Sequence, residues 1–451
     1  MWQRAVRLGT GSLLCLGRHN VTCLISTTGK QHSDWSADYR VFERGRFREE
    51  MLFSVIRKEV TGRLEKKQPL VVLMDDTLFD KSGRNVYGTA FKRDPNGPKF
   101  CNNFIWATRY LQISGAVEEE ERPGSCRGIP LMIRHCPTPK KPSRCAPAEV
   151  HAEYTLLREA TKISKRGADA IRELREQMDP DRELVVSVDG GYTNKTVIRS
   201  LPEKTTLIGR ARRDAKLYDI PVEKEGRRGR RSYYGEQLPT PEAIRKDDEI
   251  PWETVKAFAS DRVHEFQVKY IKPVRSRVGG ERNLSLLVIR PLRYRLKKGS
   301  PLIYRKPTYL ICTDSNLPPE KILQWYLWRW QIEVNFRDEK CLLGIDEPSV
   351  RKEESLQFLP ALMTVSYAFM QLAFTGKSAK GVSVRKLPKW RKHAPPGRMT
   401  TGLMQSEFRN QIWGLGIGSG NLPHFVKSRK TLTKSLKFNT EVGNAVYYAH
   451  R

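Results

Sequence analysis

Residues 69–77 read PLVVLMDDT and residues 183–194 read ELVVSVDGGYTN. Each is a short apolar run, rich in β-branched residues, that runs into aspartate: Asp75 and Asp76 in the first, Asp189 in the second. Uninterrupted apolar runs of this length fit strands buried on both faces. An acid after such a strand can be a plain turn residue or helix cap. Around this pair, TTLIGRARRD (205–214), PTYLICTD (307–314), NNFIWATRYLQIS (102–114) and IPLMIRHC (129–136) read as further strands. Residues 148–178 read as a long helical segment with a break expected at Gly167, and 318–344, PPEKILQWYLWRWQIEVNFRDEKCLLG, as another. Strands alternating with helices predict an α/β body.

The charge balance says what that body meets. The chain has 451 residues, with 81 Lys+Arg against 50 Asp+Glu and a net charge of +31. Such an excess repels itself unless its surface faces a polyanion, and nucleic acid is the commonest one. A hydrophobic content of 39% is enough for a sizeable core, which excludes global disorder. The eight cysteines contain no C-x-x-C pair, which argues against a zinc site and for free thiols in a reducing compartment. No unbroken apolar run reaches the ~18–20 residues of a membrane span, so no membrane partner is expected. Residues 1–33 contain no acid, a composition shared by transit peptides and by DNA-facing helical segments. Continuity into DWSADYRVFERGRF (34–47) favours the second.

Four regions are expected. A helical N-terminal DNA-binding region spans 1–66. An α/β catalytic domain spans 67–214 and 306–349. A β-rich insertion with a basic surface spans 215–305, and a helical, basic region spans 350–451.

The late helix adds a third acid. Tyr326, Arg329, Glu333 and Lys340 lie at offsets 0, 3, 7 and 14; at about 100° per residue they form one stripe about 60° wide. Trp325, Trp328, Ile332 and Phe336 form a neighbouring apolar stripe, the core face. Helical spacing alone also allows Arg329 and Glu333 to be an exposed i,i+4 pair. Two strand carboxylates and one helix carboxylate are hard oxygen ligands, suited to two Mg²⁺ ions that act on a phosphodiester. Arg329, Lys340 and Tyr326 would then hold flanking DNA phosphates.

These residues resemble the bacterial insertion-sequence transposases with an RNase H-like DDE domain, the branch with a Y-(2)-R-(3)-E-(6)-K signature. Tyr326, Arg329, Glu333 and Lys340 match that spacing, DDT (75–77) looks like the first-acid motif, and VDGGYTN (188–194) looks like the second. The resemblance covers about residues 65–345. It implies that Asp75, Asp189 and Glu333 are catalytic metal ligands, with Asp76 the second choice for the first acid, since strand pleating lets only one of the adjacent pair face the site. It also implies two Mg²⁺ ions that Mn²⁺ can replace, and DNA partners comprising terminal inverted repeats and target DNA. A homodimer in the DNA complex and a cytoplasmic, nucleoid-associated location follow from the same likeness. Arg210, Arg212 and Arg213, with Lys81 and Arg84, fall near where it places phosphate contacts. Tyr309 falls where a base-wedging aromatic is expected, although a strand tyrosine also serves as core. Arg227–Arg231 reads equally as a DNA clamp or a solvated run. The competing functions are an idle DNA-binding descendant and a nuclease that cuts without joining.

Overall fold

The computed structural model describes residues 2–44, 49–95, 97–98, 100–120, 122–222, 232–295, 299–375 and 398–417. Four helices open the chain: α1 (Trp2–Leu14), α2 (Val21–Thr27), α3 (Ser36–Glu43) and α4 (Glu49–Gly62). Asn20 starts α2, its side-chain oxygen accepting from the Cys23 amide, which satisfies a donor that the first helical turn leaves open. Then come β1 (Leu70–Asp80), β2 (Ala90–Arg93), β3 (Phe104–Glu118) and β4 (Cys126–Cys136), followed by α5 (Ala148–Ala160) and α6 (Ile163–Glu176). The break between those helices falls at Thr161–Lys162, with Lys162 extended, and not at Gly167, which lies inside α6. Gly167 is there for packing: a Cβ would come within 2.8 Å of the Tyr192 ring.

The middle of the chain adds β5 (Leu184–Val188), α7 (Lys195–Arg199), β6 (Thr205–Arg210), β7 (Leu217–Tyr218), β8 (Gln237–Leu238) and α8 (Pro241–Lys246). After these come β9 (Glu253–Ala259), β10 (Arg262–Ser276), β11 (Leu284–Ile289), β12 (Arg293–Tyr294), β13 (Ile303–Tyr304) and β14 (Thr308–Cys312). Helices α9 (Pro319–Trp328), α10 (Trp330–Cys341), α11 (Glu353–Ala373) and α12 (Thr401–Ile417) close the described chain.

A twelve-stranded mixed sheet organises these elements, in the order β2-β3-β1-β5-β6-β14-β11-β10-β7-β8, with β4 on β3 and β9 on β10. The central pairs β1–β5 and β5–β6 are parallel. Most strands of 215–305 extend this sheet, β11 pairing with β14 and β10 with β11, while β12 and β13 form a separate two-stranded sheet.

Pleating sorts β1 into two faces. Leu70, Val72 and Met74 pack with Ile171 and Leu174 of α6 and with Tyr192. Val71 and Leu73 pack with Ile322, Trp325, Trp328 and Ile332 of α9 and α10. The N-terminal helices also lie against this body, since Leu8, Leu24 and Phe42 share a core with Met363 and Met370 of α11 and with Phe79 and Tyr110 of the sheet. Among the described residues, α11 is the one helix long and apolar enough to cross a membrane, and 78% of that stretch is buried within the protein. All eight cysteines are unpaired.

Candidate active site

Asp75 and Asp189 become neighbours through strand register. Met74 of β1 pairs with Val188 of β5, and Val188 with Gly209 of β6, so the next residues along the row are Asp75, Asp189 and Arg210. Only Asp189 ends its strand. β1 runs on to Asp80 because β3 supplies a ladder past the point where β5 stops, from Asp75↔Gln112 to Asp80↔Ala107. The turn after β5 holds Asp189 still: its Oδ1 accepts from the Gly191 amide at 2.8 Å, and the Thr193 hydroxyl donates to its carbonyl at 3.0 Å. That turn presses on β6, where a Cβ on Gly209 would meet Thr193 Oγ1 at 2.1 Å.

The two faces of β1 separate its adjacent acids. Asp75 projects with Val71 and Leu73 toward α9 and α10. Asp76 projects the other way, accepting from the Tyr192 hydroxyl at 2.7 Å and pairing with Arg109 at 3.2 Å.

Arg329 sits where α9 meets α10. Its amide donates to the Tyr326 carbonyl, and the Ile332 amide donates to the Arg329 carbonyl; both are three-residue spacings, so the expected single helix tightens here by a 3₁₀-like step. The guanidinium forks, with Nη1 donating to Asp75 Oδ2 at 2.9 Å and Nη2 to Glu333 Oε1 at 2.6 Å. One cation thus joins the first strand acid to the helix acid, so the i,i+4 pair that spacing allowed is present but part-buried and shared with Asp75. Its side chain is 16% exposed. Burial, joined by Asp189 and resisted by Arg329, pushes the Asp75 carboxyl up to about 7. Burial works against the charge on Arg329, but Asp75, Tyr326 and Glu333 outweigh it and raise its pKa.

The donor set fits a hard divalent cation. Among the described residues, no three His, Cys, Asp or Glu side chains are gathered into a ready cage; Arg329 takes the central place between Asp75 and Glu333. Asp75 and Glu333 share the single cation Arg329 with Asp189 beside them, an excess of negative charge that a divalent ion would offset. Asp75, Asp189 and Glu333 are the carboxylates around Arg329 that could take one.

Other residues singled out in the sequence are distributed unevenly. Tyr326 is half-buried with the Arg329 guanidinium 6.0 Å from its ring centre, and both Arg329 and Arg210 act on its hydroxyl. Lys340 reaches back to β1, donating to the Leu78 carbonyl at 2.7 Å. Lys81 donates to the carbonyls of Asp346 and Pro348, and burial lowers its pKa to about 8. Arg212 is exposed and pairs with Asp214. Tyr309 is buried against α8, its hydroxyl donating to Glu242. Arg227–Arg231 lies outside the described residues.

A family comparison bears on this geometry. The family model described as DDE superfamily endonuclease matches residues 3–274, more than half of the chain. The chain belongs to that family. No curated protein matches its sequence. The match to the DDE superfamily endonucleases begins within α1, spans Asp75 and Asp189, and ends in β10, before Glu333. DNA is the substrate such a family implies, and DDE superfamily endonucleases generally use divalent metals.

Sequence reasoning missed the back of α10. Asn335, Asp338 and Glu339 are all buried and lie roughly opposite Glu333 at about 100° per residue. Asn335 donates to Ser114 and accepts from the Tyr367 hydroxyl; Asp338 accepts from Thr401 at 2.5 Å; Gln371 donates to Thr401. These bonds fix the rotation of α10 against β3, α11 and the start of α12. Polar letters on a helix read as solvent-facing, so no sequence signal marked them.

Proposed function

We propose that this DDE superfamily endonuclease is a DNA transposase of the insertion-sequence type, cutting at element ends and joining them to target DNA. The observation that carries this reading is the Arg329 fork between Asp75 and Glu333, with Asp189 next in register to Asp75. In this reading Asp75, Asp189 and Glu333 hold two Mg²⁺ ions, replaceable by Mn²⁺, and Asp76 serves the fold. Bound there, the ions supply Lewis-acid charge for both the attacking and the leaving oxygen of a phosphodiester.

The residues divide the remaining work. Arg329 substitutes for cationic charge before DNA arrives, then turns from the carboxylates to a phosphate beside the scissile bond. Its planar fork suits both partners. Tyr326, Arg210 and Lys340 take flanking phosphates, Arg212 a more distant one, and Tyr309 meets a base if its bond to Glu242 opens. Water first displaces the 3′ oxygen at the element end, breaking one P–O bond as another forms. The freed 3′-OH attacks the opposite strand to leave a hairpin, a second water reopens it, and the 3′-OH then joins target DNA. Every step exchanges one P–O bond for another, so no covalent protein intermediate is needed. The partners are terminal inverted repeats and target DNA, bound by a homodimer at the nucleoid.

The test incubates purified protein with Mg²⁺, a labelled element end taken from the DNA flanking the reading frame, and a target plasmid. Cleavage with strand transfer supports the reading. Cleavage alone reduces it to a nuclease, and no cleavage refutes it. Asp189→Ala and Glu333→Ala should each abolish cleavage with end binding retained, because phosphate contacts elsewhere supply the affinity.

A further inference from the structure

The hairpin of β2 and β3 carries an aromatic surface that the chemistry above does not use. Its cross-strand pairs are Ala90↔Ala107, Phe91↔Trp106, Lys92↔Ile105 and Arg93↔Phe104. Opposed residues share a face and the side-chain period is two, so Phe91, Trp106, Arg93 and Phe104 lie together on one side. Phe91 is 70% exposed and Phe104 58%. The Phe91 and Trp106 rings meet edge to face at 5.0 Å, and the Trp106 indole is fixed by donating to the Gly83 carbonyl at 3.0 Å. On the reverse face, Lys92 donates to the Thr138 hydroxyl. Phe91 and Trp106 are therefore held in place, yet none of the buried clusters among the described residues takes in Phe91 or Phe104. A contiguous aromatic patch facing water marks a binding surface.

Charge and position identify the occupant. Arg93 shares the aromatic face, paired across the strands with Phe104, and the whole chain stands at +31. Exposed aromatics beside a cation match bases and phosphates together, since the rings stack on bases and the cation meets the backbone. Placement agrees. Asp75 faces Gln112, Thr77 faces Tyr110 and Phe79 faces Thr108, so alternation puts Trp106 and its face on the same side of the sheet as Asp75. Trp106 lies six residues along β3 from Gln112 and Phe104 eight, or ~20 and ~27 Å at ~3.4 Å per residue. That is the rise of about six to eight base pairs.

We infer that the β2–β3 hairpin is a DNA platform: Phe91 and Phe104 stack on unpaired bases of the strand leaving the acid cluster, and Arg93 neutralises a neighbouring phosphate. The inference rests on the reading of the chain as a DNA-processing enzyme, and adds a base-stacking site remote from the acids.

The full chain is titrated against fluorescein-labelled oligothymidine and a mixed-sequence duplex, each of about 20 nucleotides per strand, long enough to cover one binding site. Phe91→Ala combined with Phe104→Ala should weaken oligothymidine binding at least about tenfold and duplex binding far less. Phe91→Tyr with Phe104→Tyr should restore it. Arg93→Ala should weaken both ligands alike and lower the salt slope by about one. The aromatics are exposed, so an unchanged melting profile verifies folding. Equal binding by wild type and the double alanine variant overturns the platform while leaving the endonuclease reading intact. A changed oligomeric state with unchanged DNA affinity also overturns it, assigning the patch to protein contact. Wild-type protein that binds neither ligand overturns the DNA reading itself.

Discussion

Glu339→Gln should make the protein more stable, by an amount that grows with pH. Glu339 is fully enclosed between α10, β3 and α11, 1% exposed, and burial pushes its carboxyl from an ordinary 4.5 up to about 8 against weaker opposition from Gln112 and Thr364. At neutral pH it is therefore protonated in the folded chain and ionised in the unfolded one. Because the folded value lies above the unfolded one, the stability tied to the bound proton is complete below pH 4.5 and is lost as pH rises through about 8. At ~1.36 kcal/mol per pH unit across that interval, the loss reaches roughly 5 kcal/mol. Gln has the same shape and a permanent donor. Gln112 and Thr364 both reach the Glu339 carboxyl, so an amide N–H in its place would face acceptors in Gln112 Oε1 and Thr364 Oγ1. Chemical denaturation of both proteins at pH 5, 6, 7 and 8 gives the difference directly. The Gln variant should gain ~1.4 kcal/mol per pH unit over wild type in this range and level off above it. A difference that stays flat with pH, or one that favours wild type at pH 8, would refute a proton held on Glu339.

Three further outcomes follow from the same contacts. Asp75→Asn should abolish metal-dependent cleavage, whereas Asp76→Asn should retain most of it and lower stability by ~1–3 kcal/mol through the Tyr192 and Arg109 contacts; equal activity losses in a cleavage assay would reverse the assignment. Gly167→Ala should destabilise by ~1–3 kcal/mol, because its methyl would lie 2.8 Å from the Tyr192 ring, and an unchanged denaturation midpoint would contradict the packing. DNA affinity should fall steeply between low and physiological salt as a +31 chain displaces counterions, and a flat titration would point to a different partner.

The candidate acids stand out in the sequence because their signals are local. β-Branched runs mark β1 and β5, turn chemistry marks VDGGYTN, and a fixed period relates Tyr326, Arg329, Glu333 and Lys340. The sequence left the choice between Asp75 and Asp76 open on the residues alone, since both follow the same strand and only the packing of each face separates them. Helix α6 with Tyr192 claims one side, and α9 with α10 claims the other. The same limit explains β1 itself. Expecting the strand to stop at its acids is sound local reasoning, but its length is set by β3, whose 15 residues pair it as far as Asp80.

Long-range partners likewise decided the residues that sequence misassigned or passed over. Gly167 looks like a helix breaker until Tyr192 is placed on it. Asn335 and Asp338 look solvated until Ser114, Tyr367 and Thr401 meet them. An apolar seam would let α10 settle at several rotations of similar energy, whereas hydrogen bonds to three separate elements are satisfied together at one. That rotation also aims Glu333 at the cation it shares with Asp75. Buried polarity on one side of α10 and a carboxylate on the other are thus parts of one arrangement, and the least legible residues of the helix determine where its most legible one points.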